Sequence, residues 1–391
     1  MRGGCWVKRN SILIISALFL TAIGLLELYF INKSYFFSQL SKALIFTVSL
    51  FTIFLFIRKE HILNYGHWIY YFSLILLVIV LIGGKGRVNR WINLGFMQLQ
   101  PSEIAKLGLI LILSKILSNT QKPLKSRLIK ALGYTLIPFI LVMLQPDLGT
   151  ALTFLFIAFL MSWISGIDPF ITRLIILTPI TMIASAHLLS TTILYLTLLI
   201  FLLISKEALY KKVLTISFLT AVSLSTPFVW QKVLKPYQRY RLTAFLNPEK
   251  SKSREGWQIY QAKIALGSGG IFGKGPGKGT QKGLAFLPAA HTDFMFSSIG
   301  EEFGFAGLII IIATFMAFLS FLLRKIELEE GQEKLILTGV FAFFFFHFSV
   351  NVLSNLSLLP VVGIPLPFIT YGGSHLLTEI TTIFLVLKLE D

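Results

Sequence analysis

The chain has 391 residues, of which 55% are hydrophobic and only 14% are charged, and its mean hydropathy is +0.78. In soluble domains roughly a quarter of the residues are charged, so this composition excludes an ordinary soluble domain. The single cysteine, Cys5, excludes an internal disulfide. The formal net charge of +17 lies on basic residues between apolar segments, which favours anionic lipids or lipid-linked substrates over nucleic acid as partners.

The apolar runs predict an all-α polytopic membrane protein. The first run, residues 11–30, follows a basic stretch and ends without a small-residue cleavage site, so it is predicted to be a retained transmembrane helix. Further runs are centred on residues 42–57, 67–84, 104–118, 130–146, 149–165, 171–188, 192–205, 213–230, 304–323, 335–355 and 366–388. Together they predict about ten to twelve transmembrane helices, depending on whether residues 171–205 cross twice or form a peripheral hairpin.

The charges of the short loops predict the orientation. Lys and Arg cluster before the first run and after the second, fourth, eighth and tenth runs, which places both termini in the cytoplasm. The long loop of residues 231–303 is then extracytoplasmic, and its length predicts that it carries the site. Its many basic residues suit either a phosphate-bearing ligand or simple contact with lipid headgroups.

Two polar motifs interrupt the apolar runs in the first half of the chain. In residues 100–106 (QPSEIAK), Glu103 and Lys106 are three apart and share one helix face, either as an ion pair hidden from lipid or as the polar wall of a cavity. In residues 145–150 (QPDLGT), Asp147 is placed to cap the following helix. Asp147 and Gln145 are alternatively predicted to order the cationic loop above them.

Two further motifs lie in the long loop. Residues 237–241 (YQRYR) either anchor the chain at the membrane interface or use their two arginines to clamp phosphate. The glycine-rich residues 267–279 fail the P-loop template, because Ser268 and Gly275 occupy positions that need Gly and Ser or Thr. They predict a flexible loop that either presents its amides and lysines to a ligand or serves only as a spacer.

Asp293 is the residue that the sequence singles out for chemistry. It lies two residues after His291 and just before the chain re-enters the membrane, with Glu301 and Glu302 following. A lone acid before an apolar helix is most often an N-cap. The alternative is a carboxylate that takes a proton from a sugar hydroxyl.

Several of these stretches together resemble the SEDS family (shape, elongation, division and sporulation proteins), the membrane-embedded peptidoglycan polymerases. The matching residues are 89–95 (NRWINLG), 100–106, 145–151, 264–270 (IALGSGG), 291–294 (HTDF), 300–304 (GEEFG), 359–368 (LPVVGIPLPF) and 371–374 (YGGS). Residues 245–249 (FLNPE) and 279–281 (GTQ) are similar to the elongation branch, RodA, rather than the division branch, FtsW. Two departures are Ala289, where an acid is common, and His375, where a second serine is usual.

The resemblance implies a single SEDS-type domain over residues 1–391 in the bacterial cytoplasmic membrane, working during cell elongation. Its substrate would be lipid II, a disaccharide-pentapeptide on undecaprenyl pyrophosphate, which it would polymerise with inversion at the anomeric carbon. Asp293 would activate the acceptor hydroxyl. A division-type paralogue with the same chemistry, a lipid II flippase and a non-catalytic scaffold are the alternatives. A class B penicillin-binding protein and other elongation-complex membrane proteins are the implied partners.

Leaving-group charge would come from Arg90, Arg239, Arg241 and Lys263 by electrostatic stabilisation. No cofactor is evident, although a divalent cation, Mg or Mn, could share that task. The remaining predicted substrate-binding residues are Trp91, Glu103, Lys106, Gln145, Asp147, Gln281, His291 and Glu302.

Overall fold

The computed structural model of the chain describes residues 2–83, 90–95, 97–185, 187–233, 239, 245, 254–283 and 289–389. Its helices up to the long loop are α1 (Arg2–Ile31), α2 (Lys33–Phe56), α3 (Lys59–Tyr65), α4 (Trp68–Gly83), α5 (Pro101–Leu117), α6 (Leu124–Leu144), α7 (Leu148–Ile164), α8 (Pro169–Ala184), α9 (Leu188–Ile204) and α10 (Leu209–Phe228), which continues into a π-helical turn (Val229–Val233). They are followed by α11 (Arg254–Gly269), α12 (Thr280–Gly283), α13 (Met295–Leu328), α14 (Gly331–Asn355) and α15 (Gly373–Lys388).

The prediction of an all-α polytopic membrane protein is confirmed. Within the described residues the only strands are β1 (Ile92–Asn93) and β2 (Gln98–Leu99), a two-residue antiparallel pair in which Ile92 faces Leu99. Apolar runs without a period-two alternation form helices because a helix satisfies every backbone hydrogen bond within the segment.

Six of the described helices are long and apolar enough to cross a membrane: Asn10–Ile31, Lys33–Phe56, Leu124–Leu144, Leu209–Lys232, Met295–Leu328 and Gly331–Asn355. The bent pair α3 and α4, with an angle of 55° between its helices, adds a seventh if it counts as one span. Helices α7, α8 and α9 are apolar but shorter, with 16 or 17 residues each. The total of about ten to twelve crossings stays a prediction.

The chain divides into two compact units, Met1–Ser165 with Ala244–Asp391, and Gly166–Thr243. In the first unit α5 is the central helix, because it packs against α4, α6, α7, α14 and α15 and is buried along almost its whole length. Close packing there depends on Gly108, since a Cβ at that position would lie 2.6 Å from the Tyr70 Cα atom. The buried apolar residues around α5 form the main core.

In the second unit α8 packs against α9 and α10 around Leu198, Leu202 and Leu219. Two ion pairs lie at one end of these helices: Arg173 with Glu207 at 2.7 Å and Lys211 with Asp168 at 3.2 Å. Residues 171–205 thus lie in two separate helices, α8 and α9. Both alternatives for this segment, two crossings or a peripheral hairpin, stay predictions.

Candidate functional site

Asp293 lies at the entrance to α13, one residue before the N-cap position, which is occupied by Phe294. Its main-chain carbonyl accepts hydrogen bonds from the side-chain amides of Asn351 (3.2 Å) and Asn355 (2.9 Å) on α14. Its carboxylate faces the loop of residues 359–367, because a Cβ added to Gly363 would lie 3.8 Å from the Asp293 Oδ2 atom. The side chain is partly exposed. The N-cap predicted for Asp293 is thus at the next residue.

His291 belongs to an aromatic cluster beside Asp293. Its ring stacks on Tyr35 with the centroids 4.7 Å apart, and Tyr371 lies 5.0 Å from Tyr35. The carbonyl of His291 also accepts the N–H of Tyr371 at 3.0 Å, which ties this segment to the loop that precedes α15. Burial lowers the pKa of His291 below its usual 6.5, so its imidazole is neutral at physiological pH.

Lys42 brings a positive charge to the same cluster. Its Nζ atom donates to the Tyr371 hydroxyl at 3.3 Å, and the Ser38 hydroxyl lies 3.2 Å from the same oxygen. Burial by itself raises the pKa of the Tyr371 phenol. The two hydrogen bonds and the charge of Lys42 lower this pKa by a larger amount, so it lies below the usual 10.0. A partly exposed cation beside a polarised phenol can bind an anionic group.

Arg90, Gln145 and Asp147 are brought together in the structure. Arg90 donates to the carbonyls of Gln145 (2.9 Å) and Pro146 (2.5 Å), and its guanidinium lies 3.8 Å from the Asp147 carboxylate. Asp147 is also the N-cap of α7, where it accepts the N–H of Thr150 at 3.3 Å. The same carboxylate therefore caps a helix and holds the loop that contains Arg90. Trp91 next to it is exposed.

Glu103 and Lys106 form a buried ion pair with 2.7 Å between Oε1 and Nζ, and their side chains are 4% and 1% exposed. The pair belongs to a larger buried cluster that joins α5, α14 and α15. The Lys106 ammonium is 3.3 Å from the ring of His347, and His375 lies 3.5 Å from Glu103 and 2.7 Å from Glu379. The structure therefore supports the interpretation of Glu103 and Lys106 as a pair hidden from lipid.

His347 and Glu379 were not predicted from the sequence to belong to this cluster, and His375 stood out only as a departure from the family pattern. One signal was available. His375 and Glu379 are four residues apart in an otherwise apolar run, so they lie on one face of the helix. His347 follows four phenylalanines and gave no comparable signal.

Glu301 and Glu302 hold the glycine-rich loop rather than facing Asp293. Glu301 accepts the Lys274 ammonium at 2.6 Å and the amides of Thr280 and Gln281. Glu302 accepts the amides of Gly277 and Gly279 at 2.9 and 3.1 Å. These amides, together with Lys274, were predicted to approach a ligand, and the structure uses them for its own carboxylates instead. Binding of substrate by Gln281 and Glu302 stays a prediction.

The loop and α13 fit together through glycines. Gly304 interrupts α13 with φ of +66°, and a Cβ there would lie 2.3 Å from the main-chain nitrogen of Gly273. The reverse also holds, since a Cβ at Gly273 would lie 2.1 Å from the carbonyl oxygen of Glu302. Only glycine permits this approach of the two backbones.

The other predicted cations are not gathered around Asp293 by any described contact. Lys263 is exposed on α11. Arg239 belongs to the second unit, where its guanidinium donates to the carbonyl of Gln231 at 2.9 Å, and Arg241 lies outside the described residues. Among the residues that the structure describes, no group of three or more His, Cys, Asp or Glu side chains could hold a metal ion.

Comparison with known proteins connects these features to one family. The family model described as "Cell cycle protein" (FTSW_RODA_SPOVE) matches residues 6–189 and 168–391. A peptidoglycan glycosyltransferase RodA of Treponema pallidum is 32% identical, with 97% of both chains covered. A probable peptidoglycan glycosyltransferase FtsW of Trichlorobacter lovleyi is 34% identical over 81% of this chain and 73% of its own.

The fold is similar to that of a solved structure. That structure is described as the structural coordination of polymerization and crosslinking by a peptidoglycan synthase complex. The two chains are 27% identical and superpose with a TM-score of 0.71, over 96% of this chain and 95% of that chain.

Proposed function

This chain belongs to the FtsW, RodA and SpoVE family of cell cycle proteins, and on that premise we propose that it is a peptidoglycan glycosyltransferase that polymerises lipid II. The observation that carries the proposal is the position of Asp293. Its partly exposed carboxylate stands where α13 begins and faces Gly363, and His291, two residues earlier, belongs to the aromatic cluster with Tyr35 and Tyr371. A partly exposed carboxylate suits a sugar substrate, whose hydroxyl has to lose a proton to a base.

The proposed reaction is an inverting glycosyl transfer. The 4-hydroxyl oxygen of the acceptor sugar forms a bond to the anomeric carbon of the donor, and the bond from that carbon to the lipid pyrophosphate breaks. The proton of the hydroxyl passes to Asp293. The pyrophosphate leaves with the electron pair of the broken bond, so negative charge grows on it and must be stabilised.

We propose two cations of the first unit for that stabilisation. Lys42 is partly exposed and bound to the Tyr371 hydroxyl, which is in the same aromatic cluster as His291. Arg90 is partly exposed and held in place by two carbonyls and Asp147. A cation already fixed by the protein loses little freedom when charge develops in the transition state. Arg239, Arg241 and Lys263 remain proposals based on the family resemblance.

The neutral state of His291 supports an orienting role for this residue. An uncharged ring stacked on Tyr35 offers one hydrogen-bond donor and one acceptor to a sugar hydroxyl.

The cellular role is proposed in the same way. We expect the chain to act in elongation of the cell wall, in the cytoplasmic membrane, with both termini in the cytoplasm and residues 231–303 outside. Its partner is proposed to be a penicillin-binding protein, because its structural neighbour comes from a peptidoglycan synthase complex. An FtsW-type division role would use the same chemistry.

The experiment that tests the function is polymerisation of lipid II by the purified chain, alone and with a class B penicillin-binding protein. Glycan strands of increasing length should appear on a gel. If lipid II is consumed by neither preparation, although both are folded, the proposal is wrong. If labelled lipid II only changes leaflets in vesicles, the chain is a flippase.

A further inference from the structure

Two buried asparagines on α14 connect Asp293 to its surroundings. Asn351 and Asn355 are 2% and 1% exposed, and each makes two hydrogen bonds to main-chain atoms of other segments. We propose that Asn351 and Asn355 are positioning residues that fix Asp293 relative to the loop of residues 359–367. The inference rests on the proposed function, because it assigns the two amides a role in catalysis by Asp293.

Asn355 bridges the two sides of the turn that leads into α13. Its Nδ2 atom donates to the carbonyl of Asp293 at 2.9 Å, while its Oδ1 atom accepts the N–H of Ser297 at 3.2 Å and the hydroxyl of Ser297 at 2.6 Å. The first N–H groups of a helix have no partner within the helix, so Asn355 supplies an acceptor that α13 needs. The side chain of the N-cap residue, Phe294, makes no capping bond.

Asn351 connects Asp293 to the opposite loop. Its Nδ2 atom donates to the carbonyls of Asp293 (3.2 Å) and Ile364 (2.8 Å). Ile364 follows Gly363, the residue that faces the Asp293 carboxylate. The Asn351 amide thus sets the distance between the two segments that meet at the carboxylate.

The two amides also fix each other. Asn355 Nδ2 lies 3.0 Å from the Asn351 carbonyl and 3.2 Å from Asn351 Oδ1. The orientation of the Asn355 amide is determined by its partners, because an N–H of Ser297 requires oxygen on one side and carbonyls require nitrogen on the other. The network holds the main-chain carbonyl of Asp293, and the two asparagines are buried polar groups that need their partners.

A base has to be placed accurately to be useful. A misplacement of about 1 Å caused by a mutation away from the reacting atoms can lower the rate about a hundredfold. Neither asparagine is proposed to contact substrate, so their loss should lower kcat with little change in KM.

The experiment compares Asn351→Ala, Asn355→Ala and Asn355→Asp with wild type in polymerisation of lipid II. Each variant should lose tenfold to a hundredfold in kcat, with KM within about twofold of wild type. Asn355→Asp is the sharpest, because it keeps the acceptor for Ser297 but lacks the N–H that Asp293 needs. The matched control is Ser297→Ala, which removes one bond to Asn355 and leaves the bond to Asp293, and which should keep the wild-type kcat.

Hydrogen–deuterium exchange on the same proteins gives a readout that does not depend on activity. Asn355→Ala should increase exchange in peptides that cover residues 289–298, whereas Asn355→Asp should keep the Ser297 amide protected. The inference is overturned if the asparagine variants keep the wild-type kcat, or if Asn355→Ala leaves exchange there unchanged. A wild-type chain that consumes no lipid II would refute the proposed function instead, and the exchange result would still decide whether the asparagines hold this segment.

Discussion

Removing one member of the Glu103–Lys106 pair should destabilise the protein much more than removing both. The Nζ and Oε1 atoms are 2.7 Å apart and both side chains are almost completely buried. Among the described residues, Lys106→Met leaves the Glu103 carboxylate with the more distant His375 at 3.5 Å as its basic neighbour, and Glu103→Gln removes the carboxylate that pairs with the Lys106 ammonium. Breaking a buried pair in this way costs about 3–5 kcal/mol.

The double variant Glu103→Gln/Lys106→Met removes both charges and leaves the contact between His375 and Glu379 at 2.7 Å in place. Replacing a buried pair by groups of similar volume is often close to neutral, so the coupling energy should be at least about 3 kcal/mol. The assay is unfolding of the purified protein in mixed detergent and SDS micelles. Lys115→Met on the same helix is the control, because Lys115 is exposed and its loss should cost less than about 1 kcal/mol. Additive losses in the double variant would refute the reasoning.

Three further predictions follow from particular residues. Gly304→Ala should lower the yield of folded protein, because φ is +66° and the new Cβ would lie 2.3 Å from the Gly273 nitrogen, whereas Gly133→Ala, with nothing within 4 Å, should not. His291→Gln should make the melting temperature fall less steeply as the pH is lowered below 6.5. Burial lowers the pKa of His291 in the folded protein, so the unfolded chain takes up the proton first and the wild type loses stability in acid. The same dependence of melting temperature on pH in both proteins would contradict this. In a Cys5→Ser background, a cysteine at Ser253 should react with an impermeant thiol reagent in intact cells and one at Ser126 should not, and the reverse labelling would overturn the orientation.

The helical architecture could be predicted from the sequence because long apolar runs have one stable solution in lipid. Local motifs were also informative: Glu103 and Lys106 are three residues apart and form an ion pair, and Asp147 caps α7. In each case the partners are close in the sequence or follow a known cap pattern.

Contacts between distant segments could not be predicted. Asn351 and Asn355 are 58 and 62 residues from Asp293, and neither has a local signature that points to it. The glycine-rich loop was expected to present its amides and lysines to a ligand. Glu301 and Glu302 provide that partner only after α13 has packed against the loop. Sequence spacing describes a helix face, whereas these bonds depend on tertiary packing.

Asp293→Asn tests the central claim most directly, because Asn preserves the size of the side chain and one acceptor oxygen but cannot accept the proton. Lipid II polymerisation should be measured with wild type and the variant at equal amounts of folded, membrane-inserted protein. We expect glycan strands from wild type and none from Asp293→Asn, with both proteins equally stable. Near-normal polymerisation by the variant would contradict it, because Asp293 would then not be the base of this enzyme.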